Sequence, residues 1–233
     1  MRLALLLWLC LAGQGPAAYD LVWKPKAGQS FRYDLTLDMA VDGSKTLYQT
    51  ELAISIPKVE PNGDYTVSSQ YRAQKLTVDG KSQAVPDASG DKPQIDRFNA
   101  RGERLPSGQK EEDDETDPLA KTLGDLTEFT APAKPVKAGG KWSKVVAGDA
   151  KKGISPARIE YTLEKAATDT IHVSFTYAET QAEQPVRASG SLWLDAGDCC
   201  LVKLDASIVN LRFEDGGDAI GQARLTVTRR PGP

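Results

Sequence analysis

The chain has 233 residues, with 29 Lys and Arg against 32 Asp and Glu, so its formal net charge is −3. A mildly acidic chain lacks the basic footprint of a nucleic-acid-binding protein, and no nucleic-acid partner is expected. Its length is sufficient to bury a core without disulfide bonds.

The first 18 residues have the pattern of a secretory signal peptide. Arg2 precedes an apolar run over residues 3–11, and small residues lead to a cleavage site near Ala18. That run is far shorter than the ~20 residues that span a bilayer, and no later run is long enough for a transmembrane segment. Lipid anchoring at Cys10 is not expected, because a bulky leucine precedes it. We expect a secreted or periplasmic protein in which residues 19–233 form a single β-rich domain.

The N-terminal part of the mature chain alternates apolar and polar residues with a period of two. The cleanest run has five apolar side chains at alternate positions from Phe31 to Met39, and the Asp42-Gly43 turn follows it. The next runs carry Tyr48, Leu52 and Ile54, and then Tyr65. The pattern predicts a meander of long antiparallel strands with one apolar face.

The alternation is lost in the middle of the chain. A short hairpin is predicted around residues 99–102. Residues 109–117 are almost all charged, which indicates a mobile acidic loop near residues 107–117. This run lacks the glycine and ligand spacing of a calcium loop. A single helix follows, with Asp117 as N-cap, Pro118 as first residue and an end near Phe129. Leu119, Leu123 and Leu126 lie on one face of this helix.

A second meander is predicted from Ile159 to Val227, after a strand over residues 141–146. Its apolar phase slips between Ile208 and Val209, which predicts a β-bulge or sharp bend near residues 207–209. The fold class predicted for the whole chain is mainly β. It is a large curved antiparallel sheet or open barrel of about ten to twelve strands with one short helix.

No catalytic constellation stands out in the sequence. His172 is the only histidine, and it lies in a strand on the face opposite the apolar side chains, as a solvated histidine does. A triad base is the alternative reading of His172. Ser107 and Lys110 have the spacing of a Ser-x-x-Lys motif but lack its companion motifs. No catalytic residue, metal site or cofactor is predicted, and we expect a protein that is not an enzyme.

The mature chain contains two cysteines, Cys199 and Cys200, which are neighbours in sequence. They follow a turn at residues 195–198. Neighbouring side chains on a strand point to opposite faces, so a bond between them closes a strained ring. The sequence leaves open a vicinal disulfide or two separate thiols, with Cys200 as a small core residue.

Two segments carry a resemblance to a known group of proteins. The stretch Lys26-Ala27-Gly28-Gln29-Ser30-Phe31-Arg32-Tyr33 and the stretch Pro135-Val136-Lys137-Ala138-Gly139-Gly140-Lys141-Trp142 resemble strand openings of uncharacterised secreted bacterial β-rich proteins. More remotely, long antiparallel strands with a helical plug are similar to the open barrels of periplasmic lipoprotein carriers and related lipid-binding proteins. The resemblance implies a fold and carries no catalytic residues.

A curved amphipathic sheet needs its concave face filled, either by its own side chains or by a ligand. The first hypothesis is a non-enzymatic binding module that holds a lipid or other apolar small molecule on that face. The second is a structural or assembly protein of the envelope with a self-filled core. The expected partner is an apolar small molecule or an envelope protein. The candidate ligand-binding residues are Phe31, Tyr33, Leu35, Leu37, Met39, Tyr48, Leu52, Ile54, Tyr65, Leu119, Leu123 and Leu126. The oligomeric state is left open.

Overall fold

A computed structural model describes residues 17–41, 43–85, 93–106, 118–149, 154–211 and 220–231. The apolar part of the predicted signal peptide, with Cys10, lies outside these residues. So do the predicted acidic loop at 107–117, the Ser107 and Lys110 pair and the predicted N-cap, Asp117.

The described chain forms twelve strands and one helix. The N-terminal strands are β1 (Ser30–Val41), β2 (Ser44–Val59), β3 (Tyr65–Val78), β4 (Lys81–Gln83), β5 (Gln94–Phe98) and β6 (Arg104–Leu105). Helix α1 (Pro118–Thr127) follows. The C-terminal strands are β7 (Lys141–Val146), β8 (Ala157–Ala166), β9 (Thr170–Glu179), β10 (Arg187–Asp195), β11 (Leu201–Leu211) and β12 (Ile220–Arg229).

All twelve strands belong to one antiparallel sheet. The order along it is β6-β5-β3-β2-β1-β12-β11-β10-β9-β8-β7, and β4 pairs with β3. Strands β1 and β12 therefore join the two meanders at the centre. Among the described residues no strand pairing connects β6 with β7, so the sheet is not closed. The predicted fold class, mainly β with an open antiparallel sheet and one short helix, is confirmed.

The two faces of the sheet follow from the alternation in β1. Tyr33, Leu35 and Leu37 are at most 4% exposed, whereas Asp34 and Asp38, at alternate positions of the same strand, are exposed. Tyr33 pairs with Leu52 across β2 and with Arg229 across β12, so the register carries this face from strand to strand. We call the face of Leu35 and Leu37 the inner face and the opposite face the outer face.

The sheet is so strongly curved that its two edge strands both contact the side chain of Glu128. A flat path of eleven strands spaced about 4.8 Å apart would place β6 and β7 tens of ångströms from each other. Glu128, just after α1, instead forms an ion pair with Arg104 on β6 and lies 3.6 Å from the Lys144 ammonium on β7. The inner face is therefore the concave one.

The segment that follows α1 occupies the gap between the two ends of the sheet. The Ala131 amide donates to the Arg101 carbonyl at 2.9 Å, beside β6. The Trp142 indole on β7 donates to the Thr130 carbonyl at 2.9 Å. Four residues, 128–131, thus connect the two edges that strand pairing leaves apart.

The C-terminal meander supplies most of the core. Ile159, Leu163, Val173, Leu204 and Leu225 are at most 1% exposed and belong to one apolar cluster. Burial of each such side chain contributes about 1.5–3 kcal/mol before the entropy cost of folding.

The pairing of β11 continues without a register shift through the predicted bulge at residues 207–209, and its apolar phase changes just after that stretch. Ile208 and Leu211 are both buried although they are an odd number of residues apart. Asn210 between them has a φ of 59°, and its side-chain amide donates to the Pro185 carbonyl at 3.0 Å. This left-handed residue turns the strand so that Leu211 returns to the inner face.

Helix α1 confirms the predicted helix. It starts at Pro118 and ends at Thr127, slightly before the predicted end near Phe129, and the Thr127 hydroxyl donates to the Leu123 carbonyl at 2.9 Å. In the parts of the chain that the structure describes, no helix has the length and apolar character needed to cross a membrane.

Candidate ligand-binding face

All twelve predicted ligand-binding residues lie in the core, though not equally deep. Six of them are at most 5% exposed, namely Tyr33, Leu35, Leu37, Met39, Tyr65 and Leu126. The other six are partly buried and pack against the core clusters, namely Phe31, Tyr48, Leu52, Ile54, Leu119 and Leu123. The structure gathers all twelve on the concave side, and whether they contact a ligand stays a prediction.

The inner face is covered unevenly from one half of the sheet to the other. Most inner side chains of β8, β9 and β11 are buried, for example Leu163, Val173 and Leu204 at 0% exposure. On β3, Tyr71 pairs with Leu52 and is 41% exposed, and Leu76 pairs with Tyr48 and is half-buried. The N-terminal half of the concave face is therefore incompletely covered by protein.

We call the partly buried apolar region the half-covered surface. It consists of Tyr48, Leu52, Tyr71 and Leu76 on the paired strands β2 and β3. Leu119 and Leu123 on α1 are half-buried and pack against the main core. Of the four residues of the half-covered surface, sequence reasoning named Tyr48 and Leu52 and missed Tyr71 and Leu76. Tyr71 and Leu76 are an odd number of residues apart on β3, so an unbroken alternation would place them on opposite faces. The backbone of Ala73, with a φ of 50°, interrupts the alternation and brings both to the inner face, opposite Leu52 and Tyr48.

Two tyrosines give the half-covered surface a polar component. The Tyr48 hydroxyl donates to the Gln74 side-chain oxygen at 2.9 Å. Burial raises the pKa of Tyr48, and it raises the pKa of Tyr71 as well, because the Tyr71 phenol lies within the concavity although part of its ring meets solvent. Both phenols are neutral near pH 7 and act as hydrogen-bond donors within an apolar surface.

Charged side chains face inward where the two ends of the sheet meet. We call Asp96, Arg104, Glu128 and Lys144 the charged seam. Arg104 lies 3.1 Å from the Asp96 carboxylate and pairs with Glu128, whose side chain is 18% exposed. Burial raises the pKa of Asp96, and the Arg104 guanidinium partly offsets this effect. The negative charges of Asp96 and Glu128 also act on the Tyr71 phenol, so the seam adjoins the half-covered surface.

Helix α1 adds a second buried ion pair beside the seam. The Lys121 ammonium donates to the Asp125 carboxylate at 2.6 Å, one turn apart on the helix. Burial raises the pKa of Asp125, and the hydrogen bond from Lys121 only partly compensates. Buried carboxylates of this kind are frequent at functional sites, and they also occur in structural networks.

The sequence contained only a weak signal for the charged seam. Lys144 falls in the inner phase of β7, between Trp142 and Val146, where an apolar residue is the usual choice. Arg104 and Asp96 lie on short strands whose pattern does not define a face. These side chains converge because the whole sheet is curved, and a local sequence pattern does not predict that curvature.

The two cysteines are free and buried at the start of β11. The Tyr33 hydroxyl lies 3.3 Å from the Cys200 sulfur and 3.1 Å from the Leu201 carbonyl, to which it donates. Burial raises the pKa of Cys199 to about 11 and raises that of Cys200 as well. Both sulfurs are therefore thiols near neutral pH, and a vicinal disulfide stays a prediction about the oxidised protein.

His172 lies on the outer face, away from the concavity. Its Nε2 is 2.9 Å from the Ser191 hydroxyl, and its ring stacks on Trp193 with a centroid distance of 5.2 Å. No carboxylate contacts it among the described residues. Within the described ranges there is also no cluster of three or more His, Cys, Asp or Glu suited to holding a metal ion.

Comparisons with known proteins add little to this geometry. No protein-family model matches the sequence, and no curated protein matches it. A similar solved structure is that of a putative lipoprotein from Parabacteroides distasonis, which is 8% identical. The match covers 92% of this chain and 100% of that chain, with a TM-score of 0.35. A score this low carries no argument about the fold or the function of this chain.

Proposed function

We propose that the protein is a non-enzymatic binding module that holds an apolar small molecule on the half-covered surface of its concave face. The observation that carries this proposal is the uneven burial of the inner face. Val173 and Leu204 are 0% exposed on one half, whereas Tyr71 is 41% exposed on the other. Apolar side chains left partly open inside a concavity favour an apolar ligand.

The chemistry of the surface suggests which part of a ligand would lie where. Leu52 and Leu76 offer aliphatic contacts to an apolar body. Burial of about 200–300 Å² of ligand surface would contribute about 5–8 kcal/mol before the cost of immobilising the ligand. The phenols of Tyr48 and Tyr71 and the neighbouring charged seam suit a polar end of the same molecule.

Native mass spectrometry after incubation with a total lipid extract tests the proposal. We expect a mass excess of one small molecule per chain on the wild-type protein. Tyr71→Lys, which places a charge on the half-covered surface at a partly exposed position, is expected to lose that excess. Ile95→Lys is the matched control, because Ile95 is 54% exposed on the outer face. An equal loss in both variants, or no excess on the wild-type chain, would overturn the proposal.

A second candidate function is a structural or assembly role in the envelope with a protein partner. The burial of most inner side chains on β8, β9 and β11 favours it, because that half of the concave face is filled largely by the protein itself. The same experiment separates the two functions. A self-filled protein would bind no lipid in either variant.

A further inference from the structure

The outer face of β8, β9 and β10 carries an open groove that the proposed function does not use. Its volume is about 460 Å³, and Phe175 and Gly190, which pair across β9 and β10, also line it, although the Phe175 side chain itself is buried in the core on the inner face. Five hydroxyl-bearing side chains line it, namely Thr162, Ser174, Thr176, Ser189 and Ser191, and Lys141 and Glu160 stand at its β7 side. We call it the hydroxyl groove.

Strand pairing arranges these hydroxyls in two rows. Thr162 pairs with Ser174 and Ser174 with Ser191, which gives one row across three strands. Thr176 pairs with Ser189 in the other row, two residues further along the strands. Neighbours within a row are separated by the strand spacing of about 4.8 Å, and the rows by about 6.8 Å. The rigid sheet therefore presents hydroxyls at regular spacing along and across the groove.

The choice of residues in the groove is unusual for a strand surface. Serine lacks the branched or aromatic side chain that favours strands, and glycine is depleted in them, yet Ser174, Ser189, Gly190 and Ser191 occupy strand interiors. Elsewhere the outer face carries long charged side chains in ion pairs, such as Arg224 with Asp205. Small side chains lower the surface here and form the groove.

Several of these hydroxyl groups have hydrogen-bond donors and acceptors that the protein does not use. The described part of the chain supplies no hydrogen-bond partner to the side chains of Thr162, Thr176 and Ser189. Ser174 and Ser191 each bond to one side chain, Glu164 and His172 respectively. A hydroxyl donates one hydrogen bond and accepts two, so the groove offers more donors and acceptors than the protein uses.

We propose that the hydroxyl groove binds a neutral polyhydroxylated chain, that is, an oligosaccharide. Hydroxyl groups match hydroxyl groups as mixed donors and acceptors, and the one cation and one anion at the groove, Lys141 and Glu160, give it no net charge. An anionic chain would meet the carboxylate of Glu160 and, beside the groove, that of Glu164, which accepts from Ser174. This site lies on the face opposite the half-covered surface and does not depend on it.

Titration with cellohexaose, chitohexaose and maltohexaose, followed by isotope-edited NMR of the backbone amides, tests the proposal. We expect at least one of these neutral sugars to produce saturable shifts confined to β8, β9 and β10 at millimolar concentration or below. Ser189→Arg, which fills the groove, is expected to abolish the shifts. Removal of single hydroxyls by Ser174→Ala or Ser191→Ala is expected to weaken binding about threefold to tenfold each.

Thr36→Arg is the matched control, because Thr36 lies on the outer face of β1, several strands away from the groove. It should bind sugar like the wild-type protein. Three results would overturn the proposal: no saturable shift with any of the three sugars, an equal loss in Thr36→Arg, or tighter binding of the acidic chain hexagalacturonate. Each of these results is measured independently of lipid binding. A failure of the oligosaccharide proposal therefore does not affect the proposed binding of an apolar molecule.

Discussion

Gly102 occupies a position where the backbone leaves no room for a side chain. It has a φ of +80°, and a Cβ built on it would lie 2.5 Å from the Phe129 carbonyl oxygen. The Asn99 side-chain oxygen accepts from the Arg101 and Glu103 amides at 2.9 and 3.0 Å and shapes the same turn. This close approach lets the turn before β6 pack on the segment that fills the gap in the sheet.

Gly102→Ala is expected to destabilise the protein by about 2–4 kcal/mol, because it adds a steric clash with Phe129 to the cost of a left-handed alanine. Gly80→Ala is the control, since Gly80 has a φ of +77° with no atom within 4 Å of its Cβ position. The control should lose only about 1 kcal/mol. Urea denaturation measures both, and equal losses would show that the approach to Phe129 is unimportant.

The buried cysteines are expected to react slowly with iodoacetamide at pH 8. The pKa of Cys199 is raised to about 11 by burial, so only about one thiol in a thousand is ionised there. In urea both cysteines should react at least about a hundredfold faster. Mass spectrometry of the alkylated protein follows this reaction. Rapid labelling of the native chain would contradict the burial of the thiols. If the cysteines in urea react only after a reductant is added, the protein contains the vicinal disulfide.

At the scale of elements, the charged seam links the two ends of the open sheet. Glu128 contacts Arg104 on β6 and Lys144 on β7, and its side chain and that of Lys144 are 18% and 16% exposed. A charge that is largely removed from water and left without its partner costs more than an exposed one. The seam therefore replaces the strand pairing that would close the sheet.

Glu128→Gln is expected to destabilise the protein by about 1–3 kcal/mol, because it leaves Lys144 partly buried without its carboxylate. Glu60→Gln breaks the exposed pair with Lys58, whose ammonium lies 2.7 Å from the carboxylate, and serves as the control. That exposed pair should contribute at most about 1 kcal/mol. Thermal unfolding compares the two variants, and a larger effect of Glu60→Gln would contradict the role given to the seam.

The elements that the sequence predicted are those with strong local patterns. β1 was predictable because five apolar residues alternate without a break. α1 was predictable because Pro118 and three leucines at helical spacing coincide. β7 matches the predicted strand over residues 141–146. β4 and β6 have only three and two residues, too few for any periodicity to appear. The half-buried state of Tyr71 and the convergence at Glu128 depend on contacts between distant segments, so local patterns did not record them.

At the scale of the whole molecule, one curled sheet presents two surfaces of different chemistry. The concave face is apolar and only partly covered near β2 and β3, with the charged seam at its margin. The outer face is polar, and its hydroxyl groove lies on β8, β9 and β10. The residues that sequence reasoning assigned to a ligand all lie on the concave side, but only half of them remain partly open, because the C-terminal half of the sheet fills its own core.

Fluorescence titration with the apolar probe N-phenyl-naphthylamine is the most direct test of the claim that the half-covered surface binds apolar molecules. The account predicts a saturable rise in fluorescence for the wild-type protein and for Ile95→Lys. It predicts at least about tenfold weaker binding for Tyr71→Lys, because the new charge would have to be desolvated beside the probe. No saturable binding to the folded wild-type chain, or unchanged binding by Tyr71→Lys, would contradict it.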